Sequence, residues 1–155
     1  TEDKITGIDR EEYATKLGLQ DSSKIIPISA RIEEELAGFT KEEAKEYLAD
    51  IGIEETGLNE VIKSAYSALD LITYFTAGPK EVRAWTVLKG STAPEGAGVI
   101  HTDFQKGFVK AEVITYSDYV TAGSEQAAKE KGLLRIEGKE YVVQDGDIMH
   151  FRFTS

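Results

Sequence analysis

His101 and His150 are the only imidazoles in this sequence, and there is no cysteine. His101 has Asp103 two residues on, but no third residue that would complete a triad or a metal ligand set. Two histidines without thiolates are a poor zinc site, so both read as structural. The acidic runs Glu33-Glu34-Glu35 and Glu42-Glu43 lack the Asp-x-Asp-x-Asp-Gly spacing of a calcium loop and read as a solvated helix face. Asp145-Gly146-Asp147 reads as a tight turn in which Gly146 supplies a positive φ. Trp85, the single tryptophan, shares one face of an alternating run with Arg83. Such a pair serves either a core edge or a platform on which a base can stack. With Lys89, Lys106, Lys110 and Arg135, Arg83 can form a modest basic patch or a set of solvating charges. Ser29-Ala30-Arg31 closes the β-rich run KIIPI, where Ser29 suits a helix N-cap.

The elements that must position these residues follow from periodicity. REEYATKLG (10–18) reads as a short helix stopped by Gly18, and KIIPI (24–28) as a short strand whose Pro27 favours an edge. Residues 32–36 (IEEEL) begin an acidic helical turn. Thr40-Lys-Glu-Glu43 is a capping box that opens a helix running to about Ile51, before Gly52. A further helix follows Gly57 and puts Leu58, Val61, Ile62, Ala65, Tyr66 and Leu69 on one stripe.

Beyond Asp70 the character changes. ITYFT (72–76) and VRAWTVL (82–88) predict a hairpin across AGPKE, and KGSTAPEGAG reads as a loop. Ile100, Phe104 and Phe108 fall at i, i+4 and i+8, predicting one helical face. AEVITY (111–116) predicts a strand, residues 117–131 a helical excursion ending at Gly132, and LLRIEGKEYVV a hairpin about Glu137-Gly138. DIMHFRF (147–153) closes the chain as a strand, with Ile148, His150 and Arg152 on one face and Met149, Phe151 and Phe153 on the other. Hairpin, helix, strand, insertion, hairpin is the order of a β-grasp sheet wrapped on one helix, an α+β arrangement.

Composition limits the functions open to the chain. Its 155 residues are 41% hydrophobic and 30% charged, enough for a real core. No apolar run approaches the ~20 residues that span a bilayer. The net charge of −10 is uneven. Residues 1–70 carry 8 Lys/Arg against 17 Asp/Glu, and residues 71–155 carry 10 against 11. Only the second segment can meet RNA, and then through a local patch. No GxxxxGK[ST] occurs, so the backbone cradle and lysine that hold β- and γ-phosphates are not in these residues.

IPISARIEEEL, GLNEVIKSAYSALDLITYFTAGPKEVRAWTVLKG, APEGAGVIHTDFQKGFVKAEVI and GKEYVVQDGDIMHFRF together resemble the YchF/Obg-like P-loop ATPase family across nearly all of residues 24–155. The resemblance implies that residues 1–70 close a P-loop G domain and that residues 71–155 are a ubiquitin-like TGS domain of β-grasp type. It implies an ATPase that binds ATP, or GTP, with Mg²⁺, and works in the cytoplasm on the ribosome or its RNA. Ser29, Ala30 and Arg31 then match the Ser-Ala-x loop that contacts the purine base, the small Ala30 permitting close approach. The alternative is a β-grasp protein-interaction module with no nucleotide role. A sulfur-carrier role would need a Gly-Gly tail, where the sequence has FRFTS.

Overall fold

The computed structural model describes residues 7–78 and 81–154, apart from the Lys24 side chain. The chain divides into two compact units, 1–68 and 69–155.

The first unit holds helices α1 (Arg10–Leu17), α2 (Ala30–Leu36), α3 (Lys41–Asp50) and α4 (Gly57–Ala68). Each of the first three starts where a side chain satisfies the free N–H groups of the first turn. Asp9 accepts from Glu11 and Glu12, Ser29 from Ile32, and Thr40 from Glu43, whose carboxylate accepts in return from the Thr40 N–H. Gly18 and Gly52 follow α1 and α3 at φ +67° and +72°, a conformation glycine adopts without a Cβ penalty. Ala14, Ile32 and Leu48 are buried, whereas the α4 stripe faces solvent: Leu58 is 58% and Ile62 48% exposed.

The strand predicted for residues 24–28 is absent. A 3₁₀ turn at Ser22–Lys24 leads into irregular chain as far as Ser29. A strand is held by a ladder with a neighbour, and none of the described residues of this unit lies in a strand. Pro27 also offers no N–H for one.

The second unit is a five-stranded mixed sheet, ordered β2-β1-β5-β3-β4. β1 (Leu71–Ala77) and β2 (Val82–Leu88) form the predicted hairpin, with Tyr74 opposite Trp85; Pro79 and Lys80 of its turn lie outside the described residues. β5 (Asp147–Phe153) lies between β1, which it meets in parallel, and β3 (Phe108–Thr115), which it meets antiparallel. β4 (Arg135–Glu137) pairs with the far side of β3. Helices α5 (Ala93–Ile100) and α6 (Thr102–Lys106) cover the face that presents Tyr74, Val87, Val113, Met149 and Phe151. The Tyr74 hydroxyl, buried in this core, donates to the Gly96 carbonyl at 2.8 Å. Helices α7 (Tyr116–Ala122) and α8 (Glu125–Glu130) reach the opposite face, where Tyr116 meets Phe75.

The second unit departs from the predicted elements in three places. The segment from Thr92, read as loop, is helical from Ala93, because Thr92 and Glu95 pair as Thr40 and Glu43 do: Thr92 N–H and Oγ1 donate to Glu95 Oε2 at 2.7 and 2.9 Å. Pro94 lies within the first turn, where its missing N–H costs nothing. That helix ends at Ile100, α6 is a separate turn, and Phe108 already belongs to β3. Ile100, Phe104 and Phe108 nonetheless all pack on one core.

The excursion after residue 116 is two helices parted by Gly123, at φ +85°. The hairpin about Glu137-Gly138 does not form. Residues 141–143 pair instead with the chain entering α5: Ala93 N–H donates to Tyr141 O at 2.8 Å, and Val143 N–H to Ser91 O at 2.9 Å. The buried Asp147 carboxylate fastens this segment, accepting from Tyr141 Oη at 2.8 Å and Gln144 N–H at 2.9 Å. Gly146, at φ +80°, makes the expected turn before β5.

Candidate functional site

In the first unit, Ser29 performs the capping role of its residue type: its Oγ accepts from Ile32 N–H at 3.3 Å. Ala30 is the exposed first residue of α2. Arg31 Nε donates to Glu35 Oε1 at 3.0 Å while Tyr47 Oη donates to Glu35 Oε2 at 2.6 Å. The tyrosine hydroxyl first, and then the guanidinium, hold the Glu35 carboxyl below its usual range. Ser29 also lines a cleft of about 410 Å³ with Ile32, Glu33, Leu48, Gly57 and Glu60. Glu33 Oε1 accepts from Gly57 N–H at 2.7 Å, and Arg10 Nη2 lies 3.3 Å from Glu60. Glu54 and Glu55 add to the lining, so carboxylates outnumber the single arginine. Such a wall repels phosphates, yet it can accept hydrogen bonds from the amino edge of a base.

In the second unit, β2 positions the other candidates. Residues alternate across the sheet, so Arg83, Trp85 and Val87 share the face of Tyr74 and α5, and Val82, Ala84 and Leu88 take the opposite face. The Arg83 guanidinium lies 4.1 Å from the centre of the Trp85 ring. Trp85 Nε1 donates to Thr76 Oγ1 at 2.9 Å, which pins the ring while Arg83 stays exposed. The half-buried indole and the guanidinium above it thus form a cation–π pair on this face.

The remaining cations do not join that pair in one patch. Lys89 follows β2 and Lys106 ends α6. Lys110 pairs across β3 with Arg152, on the face opposite α5. Arg135 is occupied locally: Nη2 donates to Tyr141 Oη at 3.1 Å, and its guanidinium lies 3.5 Å from Glu137 and 3.8 Å from Asp147. Burial, and then the Asp147 carboxylate, push the Tyr141 phenol upward.

His101 is the N-cap of α6 itself, its Nδ1 accepting from Asp103 N–H at 3.2 Å, in place of the Thr102 or Asp103 cap. Asp145 Oδ1 accepts from Thr73 N–H at 2.8 Å. His150 comes within 4.8 Å of carboxylate oxygens of Glu112 and Glu125. Sequence spacing gives no sign of this group, because one member arrives by strand register and another from the α8 insertion. Arg152 Nη2 donates to Glu112 at 3.0 Å and holds that carboxyl low.

Residues 71–154 match the family described as YchF-GTPase_C, a protein of unknown function (DUF933). Over 139 residues the chain is 56% identical to the ribosome-binding ATPase YchF of Haemophilus influenzae, covering 90% of this chain and 38% of that protein. Against the Bacillus subtilis protein of the same name it is 47% identical over 157 residues, covering 99% and 43%. The solved Schizosaccharomyces pombe YchF GTPase superposes with a TM-score of 0.78 at 42% identity, over 92% of this chain and 37% of that one. A GTP-binding protein of Pyrococcus horikoshii superposes with a TM-score of 0.60 at 28% identity, over 99% and 42%. The chain thus spans about two fifths of the length of the curated relatives it matches. It belongs to the YchF family and corresponds to the C-terminal portion of its members.

Proposed function

We propose that residues 71–154 are a β-grasp docking module of TGS type through which a nucleotide-hydrolysing YchF protein engages the ribosome. The observation that carries this reading is the Arg83–Trp85 pair, a cation stacked at 4.1 Å on an anchored indole on one edge of the sheet. Trp85 supplies the stacking contact, and Arg83 adds a charge that can meet a phosphate; Lys89, Lys106, Lys110 and Arg135 contribute less, since they stand apart from that pair, Lys110 on the other face and Arg135 already paired. The names of the relatives, ribosome-binding ATPases, support the same reading. In that reading residues 1–70 close the G domain, and Ser29, Ala30 and Arg31 form one wall of its purine site. ATP or GTP, with Mg²⁺, is bound chiefly by residues outside this chain, in the cytoplasm.

The test is a titration of the chain with ribosomal subunits at several salt concentrations, followed by Trp85 emission. Binding should weaken steeply with salt, the logarithm of affinity falling by roughly 0.7–0.9 per phosphate neutralised for each tenfold rise. The second reading is a protein-interaction module with no nucleotide role. It is favoured by the exposed apolar residues of β2, Val82 at 72% and Leu88 at 60%. Ribosome binding that ignores salt would favour that reading.

A further inference from the structure

We propose that Glu112, Glu125 and His150 form a binding site for one divalent transition-metal ion of the Zn²⁺ class, which ties the α7–α8 excursion to the sheet. Three elements bring the ligands together. Glu112 on β3 lies directly opposite His150 on β5 in the antiparallel ladder, and both point away from α5, as Lys110 and Arg152 do. Side chains directly opposed on one face start about 5 Å apart at Cβ, so the register alone sets a carboxylate beside an imidazole. Glu125 reaches them from the first turn of α8. Ligating atoms of the three lie within 4.8 Å of one another. A tetrahedral ion bonded at about 2.0–2.2 Å would draw them to roughly 3.5 Å. Side-chain rotation can supply that closure, because His150 is exposed at the surface.

The surroundings select the ligand. The three residues line a crevice of about 10 Å³ walled by Ile114, Leu134 and Ile148. That is room for one water-sized sphere, so an ion fits and an organic molecule does not. Lys110 and Arg152 flank Glu112 and His150 and offset part of the negative charge, so donor type rather than charge alone decides which cation is held. One imidazole with two carboxylates suits zinc and its neighbours, whereas Mg²⁺ and Ca²⁺ call for oxygen ligands in larger number. Arg152 Nη2 takes Glu112 Oε2 at 3.0 Å and leaves Oε1 to the ion, in the way a hydrogen-bonded neighbour orients a ligating carboxylate. With three protein ligands, water completes the coordination. The crevice lies on the sheet face opposite Arg83 and Trp85, so the site is independent of ribosome binding.

Calorimetric titration of the untagged 155-residue chain with Zn²⁺, after treatment with a chelator, tests the assignment. One ion should bind per chain and be removed by EDTA, and Mg²⁺ over the same concentration range should not displace it. His101 and His150 are the only imidazoles, so proton NMR separates them: the ring signals of His150 should shift on adding Zn²⁺ while those of His101 stay in place. Zn²⁺ should also raise the melting temperature, since an ion bound only by the folded chain stabilises it. His150→Ala and Glu125→Gln should each abolish the binding and the melting shift while far-UV circular dichroism stays unchanged, as neither side chain is buried. Absence of Zn²⁺ binding would overturn the proposal. So would binding that persists in His150→Ala, or that Mg²⁺ displaces.

Discussion

Gly107 shows how a single atom can set stability in this fold. A Cβ there would overlap the Thr154 carbonyl oxygen, and the Gly107 and Thr154 backbones already bond at 2.8 Å. Gly107→Ala should cost about 2 kcal/mol, read as a lower urea midpoint. The Tyr74 hydroxyl is worth less: Tyr74→Phe keeps the ring in the core and loses one buried hydrogen bond, about 1 kcal/mol in the same measurement. Glu112 contributes a pH dependence. Arg152 lowers its carboxyl in the folded chain, so the contribution is complete above the unfolded carboxyl value of about 4.3 and is lost as pH falls through the lowered one. Thermal melts from pH 7 to pH 3 should show that loss, and Arg152→Ala should shrink it. At this scale the sequence is readable where a residue's chemistry is local, as with Ser29 at a helix start. It is silent on Glu112, Glu125 and His150, which only tertiary structure brings together.

Elements were legible wherever they carry their own signals. Thr40 with Glu43, Gly18, Gly52 and the alternation of VRAWTVL each mark a boundary or a face without help from the rest of the chain. Thr92 and Glu95 have the same spacing as Thr40 and Glu43, yet Pro94, Gly96 and Gly98 disguise the helix they open. Thr92→Ala and Thr40→Ala should each lower stability by about 1 kcal/mol, measured by denaturant titration. The spacing of Ile100, Phe104 and Phe108 reports correctly that all three face the core but misassigns Phe108, because a helix end and a following strand can present residues to one core at a helical interval. KIIPI fails as a strand for the opposite reason: its residue types suit a ladder that the described residues of its unit do not provide.

At the scale of the whole molecule, the five-stranded sheet is a scaffold that holds Arg83 over Trp85 on one edge strand. Its α+β class was readable from the order of elements, whereas its strand order was not, since β5 enters between β1 and β3 by pairings that no local pattern announces. The phosphate-binding motif of P-loop enzymes does not occur in these 155 residues. The chain alone should therefore turn over neither ATP nor GTP, checked by phosphate release with Mg²⁺ present. The proposed docking role is tested most directly by co-sedimentation of the chain with ribosomal subunits at low salt, comparing the native sequence with Arg83→Glu. Retention of the native chain, steep loss of binding with salt and a weaker salt dependence for Arg83→Glu, by about one phosphate contact, are the predicted result. Equal retention of both proteins at all salt concentrations, or of neither, would contradict it.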